Sequence, residues 1–219
     1  MKTATLTTGE KLPIGKILCI GRNYVDHIQE LGNETPSAPV IFMKPSSSVI
    51  GSGEEVVIPS YSNNCHHEAE LALLVGKTCR DISEADAISA LAGYGVAIDL
   101  TLRDVQDELK KKGLPWDIAK GFDTACPLSE FIPAGQVADP QSLTITMKVN
   151  GELRQNGSTS LMIHPAAKII SHLSAIFTLE QGDIILTGTP AGVSRIVAGD
   201  MLAAEIAGVG KIEVTVRAQ

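Results

Sequence analysis

Short apolar runs, broken by glycine, proline and asparagine, set the rhythm of this chain. Ile17 to Ile20 reads as a strand ending at Gly21, and Val40 to Met43 and Glu55 to Ile58 read as two more. Between them, Asn23 to Leu31 has the pattern of a short helix closed by Gly32-Asn33, with Pro36 and Pro39 beyond. Glu68 to Val75 begins with polar–apolar alternation and then turns wholly apolar, which predicts a buried strand with one polar end. Ser83-Glu84-Ala85-Asp86 has the spacing of a capping box ahead of a helix from Ala87 to Leu91. Tyr94 to Leu100 reads as a buried strand. Thr101 to Asp104 is a second capping-box match, opening an amphipathic helix that stops after Lys112 at Gly113 and Pro115.

Farther on, Leu143 to Val149, the dipeptide Asn150-Gly151 and Glu152 to Gln155 predict a β-hairpin. Pro165 suits the first turn of a helix from Ala166 to Ile176. Asp183 to Thr187, Met201 to Ile206 and Lys211 to Val216 supply further strands. Strands outnumber helices and do not alternate with them regularly. The pattern therefore predicts an α+β, mostly β architecture rather than a doubly wound sheet. At 219 residues the chain suits one domain, 1–219, with residues 1–16 as a short N-terminal extension.

Composition narrows the function. The formal net charge is −7, and the only basic run, Lys110-Lys111-Lys112, is flanked by acids and reads as a solvated helix face. With aromatics at 4% and no basic stripe, nucleic acid is not an expected partner. No long apolar span or secretory leader is visible, so neither is a membrane, and a reducing cytoplasm is the expected setting. Cys19, Cys65, Cys79 and Cys126 are scattered and do not suggest a disulfide framework.

The chemistry that remains lies in carboxylates. Glu68 and Glu70 are two apart, so on a strand they share a face, and Asp99 ends another apolar strand. Buried acids must be paired, protonated or bound to metal. An all-oxygen set suits a hard cation, Mg²⁺ or Mn²⁺. The same spacing also fits two edge-strand acids and an aspartate capping the next helix. His27 and Glu30 are three apart and adjacent on a helix, which fits an acid–base pair or an ordinary surface contact.

Several fragments, in order, resemble the fumarylacetoacetate hydrolase superfamily. They are Gly21-Arg22-Asn23-Tyr24 with His27, Lys44-Pro45, His66-His67-Glu68-x-Glu70-Leu71, and Asp99-Leu100-Thr101-x-Arg103-Asp104-Val105-Gln106. Gly113-Leu114-Pro115-Trp116 with Ala119-Lys120, Val149 to Glu152, and Gly182 to Pro190 continue the match to the C-terminal part. The resemblance is strongest to the small single-domain branch associated with acylpyruvate hydrolysis, oxaloacetate decarboxylation and oxaloacetate keto–enol tautomerisation. It implies a mixed β-sandwich roll, a homodimer, and a small 2-oxo acid substrate activated as an enolate by Mg²⁺ or Mn²⁺. It further implies that Glu68, Glu70 and Asp99 hold the metal, that Glu30 orients His27 as general base, and that Lys120 stabilises oxyanion charge. Arg22, Gln106 and Thr189 are the expected substrate contacts, Thr189 through its hydroxyl. C–C hydrolysis or decarboxylation is the leading expectation. Tautomerisation is the alternative, and an inactive metal-stabilised binding protein is a further one. Gly192-Val193-Ser194-Arg195 departs from the family's usual Gly-Val-Gly-Pro, which raises the expectation that Arg195 alters the fit of substrate tails.

Overall fold

The computed structural model describes residues 2–32, 36 and 38–219. Strands take 41% of the chain and helices 21%, which makes it the mostly β, α+β protein expected. Two large sheets dominate. The first has six strands in the order Ile132–Pro133, Leu91–Ile98, Ala69–Val75, Ile184–Leu186, Ile17–Gly21 and Val40–Lys44. The second has five: Glu152–Ser158, Thr144–Val149, Met201–Ile206, Gly210–Ala218 and Glu55–Ile58. Both mix parallel and antiparallel pairs.

The four central strands of the six-stranded sheet read as unbroken apolar runs because they are buried on both faces, whereas the edge strands Ile132–Pro133 and Val40–Lys44 are largely half-buried. Leu71 and Leu73 point into a core shared with Ile145, Met147, Leu202 and Val214 of the other sheet. Ala72 and Leu74 point the opposite way, into a second cluster with Ile17, Cys19 and Leu186. That second cluster is closed by the N-terminal residues. Thr3–Thr5 and Lys11–Pro13 form a hairpin that buries Ala4, Leu6, Leu12 and Ile14 there.

Four α-helices are present among the described residues: α1 (Val25–Glu30), α2 (Arg103–Lys112), α3 (Asp117–Lys120) and α4 (Ala166–Ile176). α4 has the expected bounds, and the Asn150-Gly151 hairpin forms with both residues at positive φ, 52° and 82°. α1 is shorter than the expected 23–31. Asn23 is withdrawn from it because its side chain donates to the carbonyls of His164 (3.1 Å) and Thr187 (2.8 Å) and accepts from the His164 amide (2.8 Å). Gly32 has the positive φ of a helix stop, whereas Asn33 lies outside the described residues.

Both capping boxes need correction. Ser83 does bond Asp86, at 2.6 Å, but a 3₁₀ turn, Ala87–Ala90, follows instead of an α-helix. Pairing of Leu91–Ile98 with Ala69–Val75 draws the chain into a strand at once, so tertiary contact overrides local propensity. Thr101 caps nothing: it belongs to a two-residue strand, Thr101–Leu102, paired with Cys65–His67. The four cysteines are free. No helix of the described residues is long and apolar enough to cross a membrane.

Candidate active site

Antiparallel pairing assembles the acids. Ala69–Val75 starts where Leu91–Ile98 ends, with Glu70 opposite Ala97, and the Asp99 amide donates to the Glu68 carbonyl at 2.7 Å. The strand expected from Glu68 to Val75 begins one residue later, at Ala69, and Glu68 lies between it and the short strand Cys65–His67. Even so, one oxygen from each of Glu68, Glu70 and Asp99 lies within 4.8 Å of the others, and all three side chains are buried. Among the described residues this is the one such group of potential metal ligands.

Three buried cations surround these three acids. Lys120 Nζ donates to Glu68 Oε2 at 2.9 Å and to Asp99 Oδ2 at 2.7 Å. Lys44 Nζ lies 2.9 Å from Asp99 Oδ1 and also donates to the carbonyls of Ala125 (3.0 Å), Leu100 (3.2 Å) and Lys120. Arg103 pairs with Glu68 Oε1 and donates to Gln106 Oε1 at 2.8 Å. With every group ionised, the cluster is formally neutral.

That balance is uneven. Burial pushes the Glu68 carboxyl up, but the charges of Lys120 and Arg103 outweigh it and hold the group well below the usual carboxylate range. Burial pushes Glu70 up as well. There the negative charges of Asp99 and Glu68 add to it, and the group ends well above that range despite Lys120 and a 2.6 Å hydrogen bond from the Gly188 amide. Additional positive charge beside Glu70 would relieve this. An all-carboxylate set with an excess of negative potential at one member suits a hard divalent cation, so these residues fit the metal that the sequence suggests.

The acids lie at the floor of a cavity enclosing about 400 Å³, its open mouth included. His27, Arg22, Gln106, Lys120 and Thr189, all expected from the sequence, line it, and Glu30 stands behind His27. A larger groove, about 1340 Å³ by the same measure, runs beside the N-terminal hairpin but gathers no comparable acid–base group.

His27 Nδ1 is 3.4 Å from Glu30 Oε2, and the Glu30 carboxylate is itself fixed by the Gly192 amide at 3.0 Å. Burial lowers the His27 pKa, more than the nearby Glu68 and Glu30 raise it, so the ring is neutral at neutral pH. Lys120 shows the reverse: burial disfavours its charge, but Asp99 and Glu68 raise its pKa overall and keep it an ammonium.

Two expectations change. The Thr189 hydroxyl, expected to donate to substrate, donates to the Ala69 carbonyl at 2.8 Å and accepts from Gln155 Nε2 at 2.8 Å, so in this state it fixes the Gly188 loop. Arg195, expected to alter the fit of substrate tails, lies exposed on the short strand Ser194–Ile196 and is not among the residues that line the cavity. Conversely, Lys44 and Arg103 were visible only as parts of motifs. Their roles arise from partners 55 and 35 positions away, which no local spacing reveals. His66 stands outside the acid cluster, its Nε2 3.0 Å from Asn64 Oδ1.

Known proteins share the sequence and the fold of this chain. Residues 16–217 match the family model described as fumarylacetoacetate (FAA) hydrolase C-terminal. The chain is 53% identical over 193 residues to oxaloacetate tautomerase FAHD1, mitochondrial, of Bos taurus, covering 88% of this chain and 87% of that one. It is 49% identical over 191 residues to oxaloacetate tautomerase YcgM of Escherichia coli (strain K12), covering 87% of each. Among solved structures, fumarylpyruvate hydrolase from Pseudomonas aeruginosa in complex with Mn²⁺ and pyruvate superposes with a TM-score of 0.96 at 34% identity, covering 100% of this chain and 96% of that one. With the family model, the fold and the relatives in agreement over nearly its whole length, the chain belongs to the fumarylacetoacetate hydrolase family of enzymes.

Proposed function

We propose that this protein is a divalent-metal-dependent oxaloacetate keto–enol tautomerase. The observation that carries the reading is its 53% and 49% identity, over nearly nine-tenths of the chain, to two proteins named for that activity. Charge supports it. Because the three acids and three cations balance, a divalent cation gives the site two excess positive charges. Such a site favours an anionic substrate, and a dicarboxylate dianion over a monoanion.

Ketonisation and enolisation move protons without changing composition. Going to the enol, the C3–H bond breaks, its electron pair forms C2=C3, and the C2 oxygen takes up a proton. His27, neutral because it is buried, is the group able to accept the C3 proton and return it. Glu30, anchored by Gly192, orients the ring. Lys120, held as an ammonium, offers positive charge to an oxygen that becomes more negative. Glu68, Glu70 and Asp99 would hold the cation, Mg²⁺ or Mn²⁺, which when bound supplies Lewis-acid stabilisation of that charge.

A second reading, hydrolysis of acylpyruvates, is favoured by the fold's likeness to the fumarylpyruvate hydrolase and by a His27–Glu30 pair able to activate water. Enol-rich oxaloacetate separates the two. The tautomerase reading expects the protein to speed the decay of enol ultraviolet absorbance with Mg²⁺ or Mn²⁺ and not with EDTA. It is wrong if the metal-loaded protein leaves that decay at the buffer rate.

A further inference from the structure

The basic run on α2 is not one solvated face. Lys111 and Lys112 are exposed, the latter 2.6 Å from Glu108, but Lys110 is half-buried and lines the active-site cavity. Helical spacing is the reason. Arg103, Gln106 and Lys110 stand at i, i+3 and i+7, share one side of α2, and all reach the cavity.

Lys110 Nζ sits 5.6 Å from the centre of the Trp116 ring, with Asp107 Oδ1 at 3.6 Å. Trp116 packs against Phe42, ring centres 5.8 Å apart, and the Phe42 ring lies 4.7 Å from Lys120 Nζ. One aromatic wall therefore carries an ammonium at each end. Lys120, with 3% of its side chain exposed, marks the inner end beside the acids, and Lys110, with 24%, marks the outer end. Arg22 lines the same cavity. Burial lowers the Lys110 pKa, opposed by Asp107 and reinforced by the like charges of Arg103 and Arg22, a repulsion that an anion placed among them relieves.

We propose that Lys110, with Arg22, receives the carboxylate of the substrate remote from its 2-oxo acid end and so sets a preference for dicarboxylic 2-oxo acids over those with uncharged tails. This rests on the reading above in one respect, that the 2-oxo acid end lies toward Glu68, Glu70 and Asp99.

The test is calorimetric titration of Mn²⁺-loaded protein with pyruvate and with 3,3-difluoro-oxaloacetate, a dianion without a C3–H. Lys110→Met keeps an apolar stem over Trp116, Lys110→Arg keeps the charge, and a thermal melt of each variant checks that it folds. The expected result is that Lys110→Met weakens difluoro-oxaloacetate roughly tenfold, the loss of one charge-assisted contact at a partly exposed position, and pyruvate less than about twofold. Lys110→Arg should restore most of the difference. With oxaloacetate as substrate, Lys110→Met should raise KM and leave kcat within about twofold. Equal losses for both ligands, or none for either, would assign Lys110 a packing or solvent role and overturn the proposal. Failure of the tautomerase reading shows elsewhere, as wild-type protein that does not speed enol decay, and leaves the binding contrast intact.

Discussion

Replacing Lys44 by methionine tests whether the buried cluster of ion pairs holds the molecule together. Lys44 is 2% exposed, and its ammonium faces Asp99 Oδ1 and three main-chain carbonyls. Methionine retains most of the stem and removes only the charge and the donors. Breaking a buried ion pair from one side costs about 3–5 kcal/mol. Asp99 retains Lys120 at 2.7 Å, which places this case near the lower end, about 3 kcal/mol. Carbonyls left without a donor add about 1–2 kcal/mol. The sum, about 4–5 kcal/mol, is a large part of a typical domain's stability. For a chain of this size it corresponds to a fall in Tm of about 10–15 °C. Urea unfolding and thermal melts in EDTA, where no cation compensates, give both quantities. Lys112→Met is the control: its pair with Glu108 is exposed on both sides, and the change should leave the unfolding midpoints unaltered. A Lys44→Met variant within about 1 kcal/mol of wild type would refute the reasoning, since Asp99 would then be balanced without this lysine.

Glu70→Gln should abolish tight Mg²⁺ or Mn²⁺ binding by calorimetry yet stabilise the metal-free protein. Because the folded-state pKa of Glu70 is raised, this gain should be absent below the ordinary carboxylate range, grow as pH rises, and level off above the folded value; a melt series that shows no gain at neutral pH contradicts the assignment. His27, whose pKa is lowered mainly by burial, should give a rate profile whose acid limb lies below the ordinary histidine value of about 6.5, activity falling as the ring is protonated. His27→Ala should remove that limb together with the activity, with metal affinity nearly unchanged; retained turnover would take His27 out of the mechanism.

The sequence disclosed those parts of the site whose logic is local. Glu68 and Glu70 are adjacent on one chain segment, His27 and Glu30 are a helical turn apart, and the Asn150-Gly151 turn demands two positive φ angles that these residues supply. Where the outcome depended on distant partners, local pattern misled. Ser83 formed its box, but the strand at Leu91 claimed the residues after it. Thr101 was taken into a strand pair by Cys65–His67. Lys110 resembles its two neighbours in sequence and differs from them only in the side of α2 it occupies. Gly188 is the converse: at φ 92°, with the place of a Cβ only 2.8 Å from Asn23 Cβ, it is required for its amide to reach Glu70.

Proton NMR of oxaloacetate in D₂O tests the central claim most directly, with Mg²⁺- or Mn²⁺-loaded protein, with the Glu70→Gln variant, and with EDTA, beside a parallel sample of acetylpyruvate. The account predicts rapid metal-dependent exchange of the C3 protons for deuterium, without release of pyruvate on the same time scale, and none above background with Glu70→Gln or EDTA. Pyruvate and acetate appearing from acetylpyruvate while oxaloacetate exchanges no faster than in buffer would contradict it and make the protein a C–C hydrolase.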